Sequence, residues 1–275
     1  MTIQIPSRLI ADDIAGMTLG YDMVKKLRSA YTGKWVKIRR SSDNTTKDIG
    51  FLGNYPDIAA ALAFVGGSNG LLDTVYNQGT EGSSGDLIQP NTSRQATLIS
   101  AGVLKTINGA AALYFNGANG YQTRSNIDVS VNFSLVAGIQ ESNATNSFLV
   151  EQGPNLNSNN GFFIYGQGNH PISTRFASGP IVFPTNVFNW VGTNPISVAM
   201  TSATAGNLSY YRNNSVVFGS VAQSASGATN TLPLNVGARN NGASLFFTGF
   251  MKNLMVFGAT TLTTAQLDVT TRHAR

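Results

Sequence analysis

"INGAAALYFNGANGYQT", Ile107 to Thr123, carries the pattern that decides the fold. A short apolar run, Ala111 to Phe115, stops at Asn116-Gly117, and a second Asn-Gly pair, Asn119-Gly120, precedes Tyr121. Runs this short, bounded by Asn and Gly, read as strands joined by turns rather than as helix. The pattern continues toward the C-terminus through "VNFSLVAGIQ", "SFLVEQ", "GFFIYG", "PISVAMTS", "LSYYRN", "SVVFGS", "LPLNVGA" and "FFTGFMKNLMVFG". Turn signals recur about every 8 to 12 residues, which predicts an all-β sandwich or jelly roll.

Toward the N-terminus the character changes. In "YDMVKKLRSAY", Tyr21 to Tyr31, the residues Met23, Val24, Leu27, Ala30 and Tyr31 share one helix face, so a helix is expected there. "WVKIRR" alternates, with Val36 and Ile38 on one face and Trp35, Lys37 and Arg39 on the other, as a half-buried strand does. Its charges are expected to point to water or to pair within the chain. "PDIAAALAFV", Pro56 to Val65, predicts a second short helix opened by Pro and stopped by Gly66-Gly67. "LTTAQLDVTTR" predicts a short final helix capped by Thr263 or Thr264. Residues 1–18 lack a period and are expected to form an arm that contacts a neighbouring subunit. Residues 19–275 are expected to form one sandwich domain with two short N-terminal helices and one short C-terminal helix.

Composition narrows the functional classes. Charged residues are 11% of the chain, well below the roughly 25% of ordinary globular proteins, and Gly, Asn, Ser and Thr fill the surface. The net charge of +5 is mild for 275 residues, and 9 of the 18 Lys and Arg lie in residues 1–50 beside 5 of the 13 acids. That is not the dense basic face of a nucleic-acid binder. The absence of Cys removes disulfides and thiol chemistry, and two His are too few for a histidine-rich metal site. No cofactor and no metal are expected. No stretch approaches 18 apolar residues, so no membrane insertion is expected, and residues 1–20 lack a basic region followed by an apolar core, so no secretion signal is expected.

"LRSAYTGKWVKIRRSSDNTTKDIGF", "LAFVGGSNGLLDTVYNQG" and "INGAAALYFNGANGYQT" together resemble a concanavalin-A-like or laminin-G-like module of bacteriophage structural proteins. The same opening is similar to the catalytic domain of fungal α-L-arabinofuranosidase B, another concanavalin-A-like sandwich. The closing "GFMKNLMVFGATTLTTAQLDVTTR" resembles the last strand and terminal helix of laminin-G-like domains. The resemblance implies a concanavalin-A-like fold. Its phage side implies a virion protein: a capsid decoration, head-fibre or tail-fibre component, partnered by other virion proteins. Such proteins are often trimers, which implies a homo-oligomer.

The arabinofuranosidase side is weakened by three departures. The family's Tyr-Asp-Gln-Ser-Gly motif stands here as Tyr76-Asn77-Gln78-Gly79. The nucleophile's stretch matches "FLVEQGPNLNS", where Glu151 precedes the Gly, and the segment expected to bring the acid, "MTSATAGN", has no carboxylate. A glycosidase needs two carboxyl groups, so these departures predict no catalytic residues and no enzyme. Sugar contact is expected instead at Asn116, Asn119, Tyr121, Asn189 and Trp190, where aromatic faces and amides could meet a cell-surface glycan. The reading is therefore a non-enzymatic virion protein, against an arabinofuranosidase-like hydrolase or a stand-alone lectin-like module.

Overall fold

The computed structural model describes residues 9–125, 133–142, 147–152, 162–167, 170–173, 196–202, 207–212, 215–222, 232–239 and 244–274. Every ladder within it is antiparallel, as hairpin-rich sequences with short turns favour. One layer runs in the order Met17–Asp22, Thr248–Phe257, Phe133–Glu141, Ile196–Ser202, Asn207–Arg212 and Ser215–Ala222. The other runs Thr46–Ile49, Val36–Arg40, Gly70–Val75, Leu87–Ile88, Tyr121–Thr123, Asn235–Val236, Ser147–Gln152, Phe162–Gln167 and His170–Ser173. Thr97–Ser100 and Leu113–Asn116 join the layers at one side through the pair Thr97 and Tyr114.

The core lies between the layers. Leu19, Tyr21, Leu135, Ala137, Ile139, Met251, Leu254 and Val256 of the first layer pack on Val36, Ile38, Leu72, Val75, Leu87, Tyr121, Val150 and Val236 of the second. The expected all-β sandwich is thus the fold. A second, smaller core lies on the outside of the first layer. There α1 (Ile10–Asp13) and α3 (Thr264–Ala274) cover Val136, Met255 and Phe257 with Ile10, Ile14, Leu262, Leu267 and Ala274. So residues 9–17 pack against the C-terminal helix.

Two of the three expected helices form, the second starting at Ile58 rather than at Pro56, which pairs in a short strand with Phe51. Helix α2 (Ile58–Val65) starts after Asp57, whose carboxylate accepts from the Ala60 amide, and ends at Gly66 with φ 58°. Helix α3 opens on a capping box in which Thr263 accepts from the Gln266 amide and the Gln266 side chain accepts from the Thr263 amide. The helix expected over Tyr21–Tyr31 is not formed. Tyr21 and Asp22 belong to a strand opposite Leu254 and Asn253, and the Asp22 carboxylate takes the Val24 and Lys25 amides. The Lys26 and Leu27 amides go to the Asn54 carbonyl and the Gln78 side chain. The local Asp22 carboxylate and two distant partners thus take the amides of residues 24 to 27 that the helix would use.

The charged strand is scaffold, but Arg39 does not reach water. It is buried, with its guanidinium donating to Gln95 Oε1 at 2.6 Å, Asn44 Oδ1 at 2.7 Å and the Thr92 carbonyl at 3.1 Å. Arg40 pairs with Asp43 at 2.5 Å across the following turn, and this holds the Asp43 carboxyl well below its ordinary range.

Between the layers, at the end of the Phe133–Glu141 strand, lies a carboxyl group. Glu141 shares its strand face with the core residues Leu135, Ala137 and Ile139, and it accepts from the Ser147 hydroxyl of the other layer. Among the described residues its second oxygen has no hydrogen-bond partner. Burial raises this carboxyl from 4.5 to about 8, with the Ser147 hydroxyl opposing. The folded protein therefore keeps a proton that the unfolded chain releases. Stability is greatest below about pH 4.5 for this group and falls by up to about 1.4 kcal/mol per pH unit until about pH 8. Urea unfolding at pH 5 and pH 8 is expected to show this fall, and Glu141→Gln is expected to remove it.

Candidate active site

Register places the side chains of the second layer. Directly opposed residues in antiparallel strands point to the same side. Val36, Val75 and Leu87 face one another across adjacent strands, as do Tyr121, Val236 and Val150, and all six line the core. The alternate residues form a second row on the opposite side: Lys37, Thr74, Ile88, Gln122, Asn235 and Glu151. The outward side of this layer thus carries a band rich in polar groups, and Glu151 stands toward one end of it.

Glu151 is 2% exposed. Its Oε1 accepts from Arg239 Nε at 3.1 Å, and its Oε2 accepts from Asn235 Nδ2 at 3.3 Å. Asn235 Oδ1 in turn accepts from Gln122 Nε2 at 2.9 Å. A chain of amides and one guanidinium therefore fixes both oxygens of the carboxylate. Phe148 lies beneath the Arg239 guanidinium, 5.6 Å from ring centroid to charge. A β-bulge between Phe148 and Val150 brings the two strand ends into this arrangement.

The carboxylates with strong local partners differ in role by where they face. Glu141 points into the core, so it does not share a cleft with Glu151 despite its raised pKa. Asp22 accepts from Asn253 at 3.3 Å and lies 2.6 Å from His273 Nε2, tying α3 to the first strand. Asp86 is raised by burial, with the Asn77 amide and Arg124 opposing, and it anchors the Gly-rich loop after Asn77. Among the described residues no three His, Asp or Glu side chains gather to hold a metal ion.

The residues expected to touch sugar are placed as follows. Tyr121 faces the core with 0% exposure, its hydroxyl donating to the Leu72 carbonyl and accepting from the Ala96 amide. Asn119 is buried, accepting from the Asn116 amide and donating to the Gln95 carbonyl. Neither offers a surface to a ligand. Asn116 is exposed and caps a turn by accepting from the Ala118 amide. Asn189 and Trp190 lie outside the described residues. Sequence reasoning passed over Gln122, Asn235 and Arg239. The first two had a signal: each is a single polar residue between core residues, in Tyr-Gln-Thr and Leu-Asn-Val.

Asn77, the first departure from the arabinofuranosidase pattern, has a structural reason. Its Oδ1 accepts from the Gly20 and Gly79 amides at 2.8 and 2.9 Å, and its Nδ2 donates to the Thr18 and Gly82 carbonyls at 3.3 and 3.2 Å. The position needs both ends of an amide, so its lack of charge says nothing about catalysis. Asn77→Asp would set a carboxylate oxygen against two carbonyls. It is expected to cost about 2–4 kcal/mol in urea unfolding.

Comparison with known proteins bears on what the band does. The chain resembles a GH54 α-L-arabinofuranosidase soaked with a cyclic sulfate inhibitor, at TM-score 0.73 and 15% identity, over 96% of this chain and 64% of that one. It resembles an arabinofuranosidase complexed with arabinofuranosyl-α-1,2-xylobiose at TM-score 0.73 and 16% identity, over the same shares. A sialidase of Trypanosoma rangeli in complex with the inhibitor DANA is more distant, at TM-score 0.50 and 16% identity, over 71% of this chain and 30% of that one. The chain therefore spans just under two thirds of the length of the arabinofuranosidases it matches, and at these identities the likeness is one of fold. No curated protein sequence matches. The family model described as "Alpha-L-arabinofuranosidase B, catalytic" matches residues 13–175. This match corrects the expectation of a non-enzymatic virion protein: the segment that suggested a phage module is part of a catalytic-domain family. Covering more than half of its length, the match establishes that the chain belongs to the α-L-arabinofuranosidase B catalytic-domain family.

Proposed function

We propose that this chain is a glycoside hydrolase that releases arabinofuranosyl groups, with Glu151 as its anionic catalytic carboxylate. The observation that carries the reading is the catalytic-domain match over residues 13–175, which contains Glu151. The polar outward side of the second layer supports it. There a carboxylate is held between a guanidinium and an amide, away from the apolar core.

The chemistry follows from the bond to be broken. Hydrolysis needs a proton for the departing glycosidic oxygen and an electron pair for the anomeric carbon. A carboxylate supplies the pair, by direct attack in a retaining enzyme or by taking a proton from the attacking water in an inverting one. Glu151 is assigned that role, and the reaction requires a second acid to bring the proton to the departing oxygen. A cyclic sulfate inhibitor and an arabinofuranosyl-xylobiose are named with two of the structural relatives, and they suggest a furanosyl substrate here.

The test is release of nitrophenol from 4-nitrophenyl α-L-arabinofuranoside, with arabinoxylan as a polymeric substrate. The wild-type chain is expected to turn over one or both. Glu151→Gln is expected to lose about 10³-fold in kcat. Because it strips Arg239 of a buried partner, thermal unfolding accompanies it. Glu151→Asp keeps the charge but withdraws it by one methylene, and is expected to lose about 10²-fold with folding retained. Glu141→Gln is expected to keep its activity. A wild-type chain inert on both substrates would overturn the reading, and so would a folded Glu151→Gln as fast as wild type.

A further inference from the structure

We propose that Arg239 is the positioning residue of the Glu151 carboxylate, supplied from outside the family-matched segment, and that the strip 235–239 acts as a clamp on the reacting group. The inference rests on the arabinofuranosidase reading and goes one step beyond it. Arg239 lies past residue 175, where the family match ends. The clamp is therefore a device of this chain's C-terminal part.

The geometry carries the argument. The strip presents donors to both oxygens at once, Asn235 to Oε2 and Arg239 to Oε1. A carboxylate held at one oxygen can still turn about its last bond, whereas one held at both cannot. The strip itself is tied down. The Gly237 amide donates to the Leu149 carbonyl at 2.8 Å, two residues before Glu151, and the Phe247 amide donates to the Gly237 carbonyl at 2.9 Å. Arg239 and Ser244 exchange backbone hydrogen bonds at 2.9 and 3.2 Å, which holds the end of the strip. The guanidinium is seated over Phe148 on the same strand as Glu151. Clamp and carboxylate are thus parts of one hydrogen-bonded unit.

The clamp fixes the direction in which the carboxylate points, and this acts on the catalytic step more than on the encounter with substrate. A misplacement of about 1 Å is sufficient to cost about 10²-fold in rate.

Two variants of the full chain test this, read by steady-state kinetics on 4-nitrophenyl α-L-arabinofuranoside and by thermal unfolding. Arg239→Met keeps the apolar stem over Phe148 and removes the charge. It is expected to lower kcat by about 10²-fold with KM within threefold of wild type. Arg239→Lys restores the charge without the planar fork that fixes its direction, and is expected to leave kcat about tenfold below wild type. Equal kcat losses in the two variants, a folded Arg239→Met within threefold of wild-type kcat, or a change confined to KM would overturn the clamp. Should Arg239→Met fail to fold, Arg239→Lys alone decides: wild-type kcat overturns the proposal, and a loss of about tenfold at constant KM supports it. An inactive wild-type chain would sink the hydrolase reading itself. An active one with indifferent Arg239 variants would sink the clamp alone.

Discussion

A strand in a sandwich has two sides, and in this protein the alternation of the second layer governs what every other part can do. Val36, Val75, Leu87, Tyr121, Val236 and Val150 are committed to the core, so their neighbours in sequence must face the other way. One residue of slip would bring Gln122, Asn235 and Glu151 into the apolar interior. The hydrophobic pattern that stabilises the sandwich therefore also aims the polar band. Burying Glu151 on that side is tolerable only because a guanidinium and an amide meet it; an unpaired carboxylate there would be strongly destabilising.

The two buried glutamates show how the same side chain takes different states on the two sides of one sandwich. Glu141 lies between the layers with a hydroxyl for company, and it answers burial by holding its proton to about pH 8. Glu151 lies on the outward side with Arg239, where an ion pair replaces lost water. A raised pKa alone would have marked Glu141 as the functional acid. Its direction of facing argues otherwise.

Much of the fold was legible. Short runs between Asn and Gly clusters marked the strands, Thr263 caps the last helix as expected, and Val36 and Ile38 face the core as the alternation required, although Trp35 is buried with them. The helix over Tyr21–Tyr31 misled because a 3.6-residue spacing arose by chance, while the donors in that segment had distant partners such as Gln78 and Asn54. Arg39 misled for a similar reason: nothing local to it reveals that Gln95 and Thr92 will close over it. The site was harder. Tyr121 looked like a sugar platform, but its hydroxyl is needed to bridge Ala96 and Leu72 inside the core. Asn77 looked like a lost acid and is an amide serving two layers of loop. Glu151 was set aside because it precedes the Gly of its stretch, and it lies on the strand Ser147–Gln152; what could not be read was Arg239, 88 residues away, arriving beside it.

The strand Met17–Asp22 finds its partner in Thr248–Phe257, and Thr18 bonds to Val256 at a separation of 238 residues. During synthesis that edge must wait until its partner, 238 residues further on, leaves the ribosome. Until then Leu19 and Tyr21 have no neighbouring strand, and Ile10, Ile14 and Met17 lack α3 to cover them. Closing so long a loop is entropically costly and slow, and during the delay an open sheet edge is available to other chains. Folding is thus expected to be a late, all-at-once event, sensitive to chaperones and to the rate of translation.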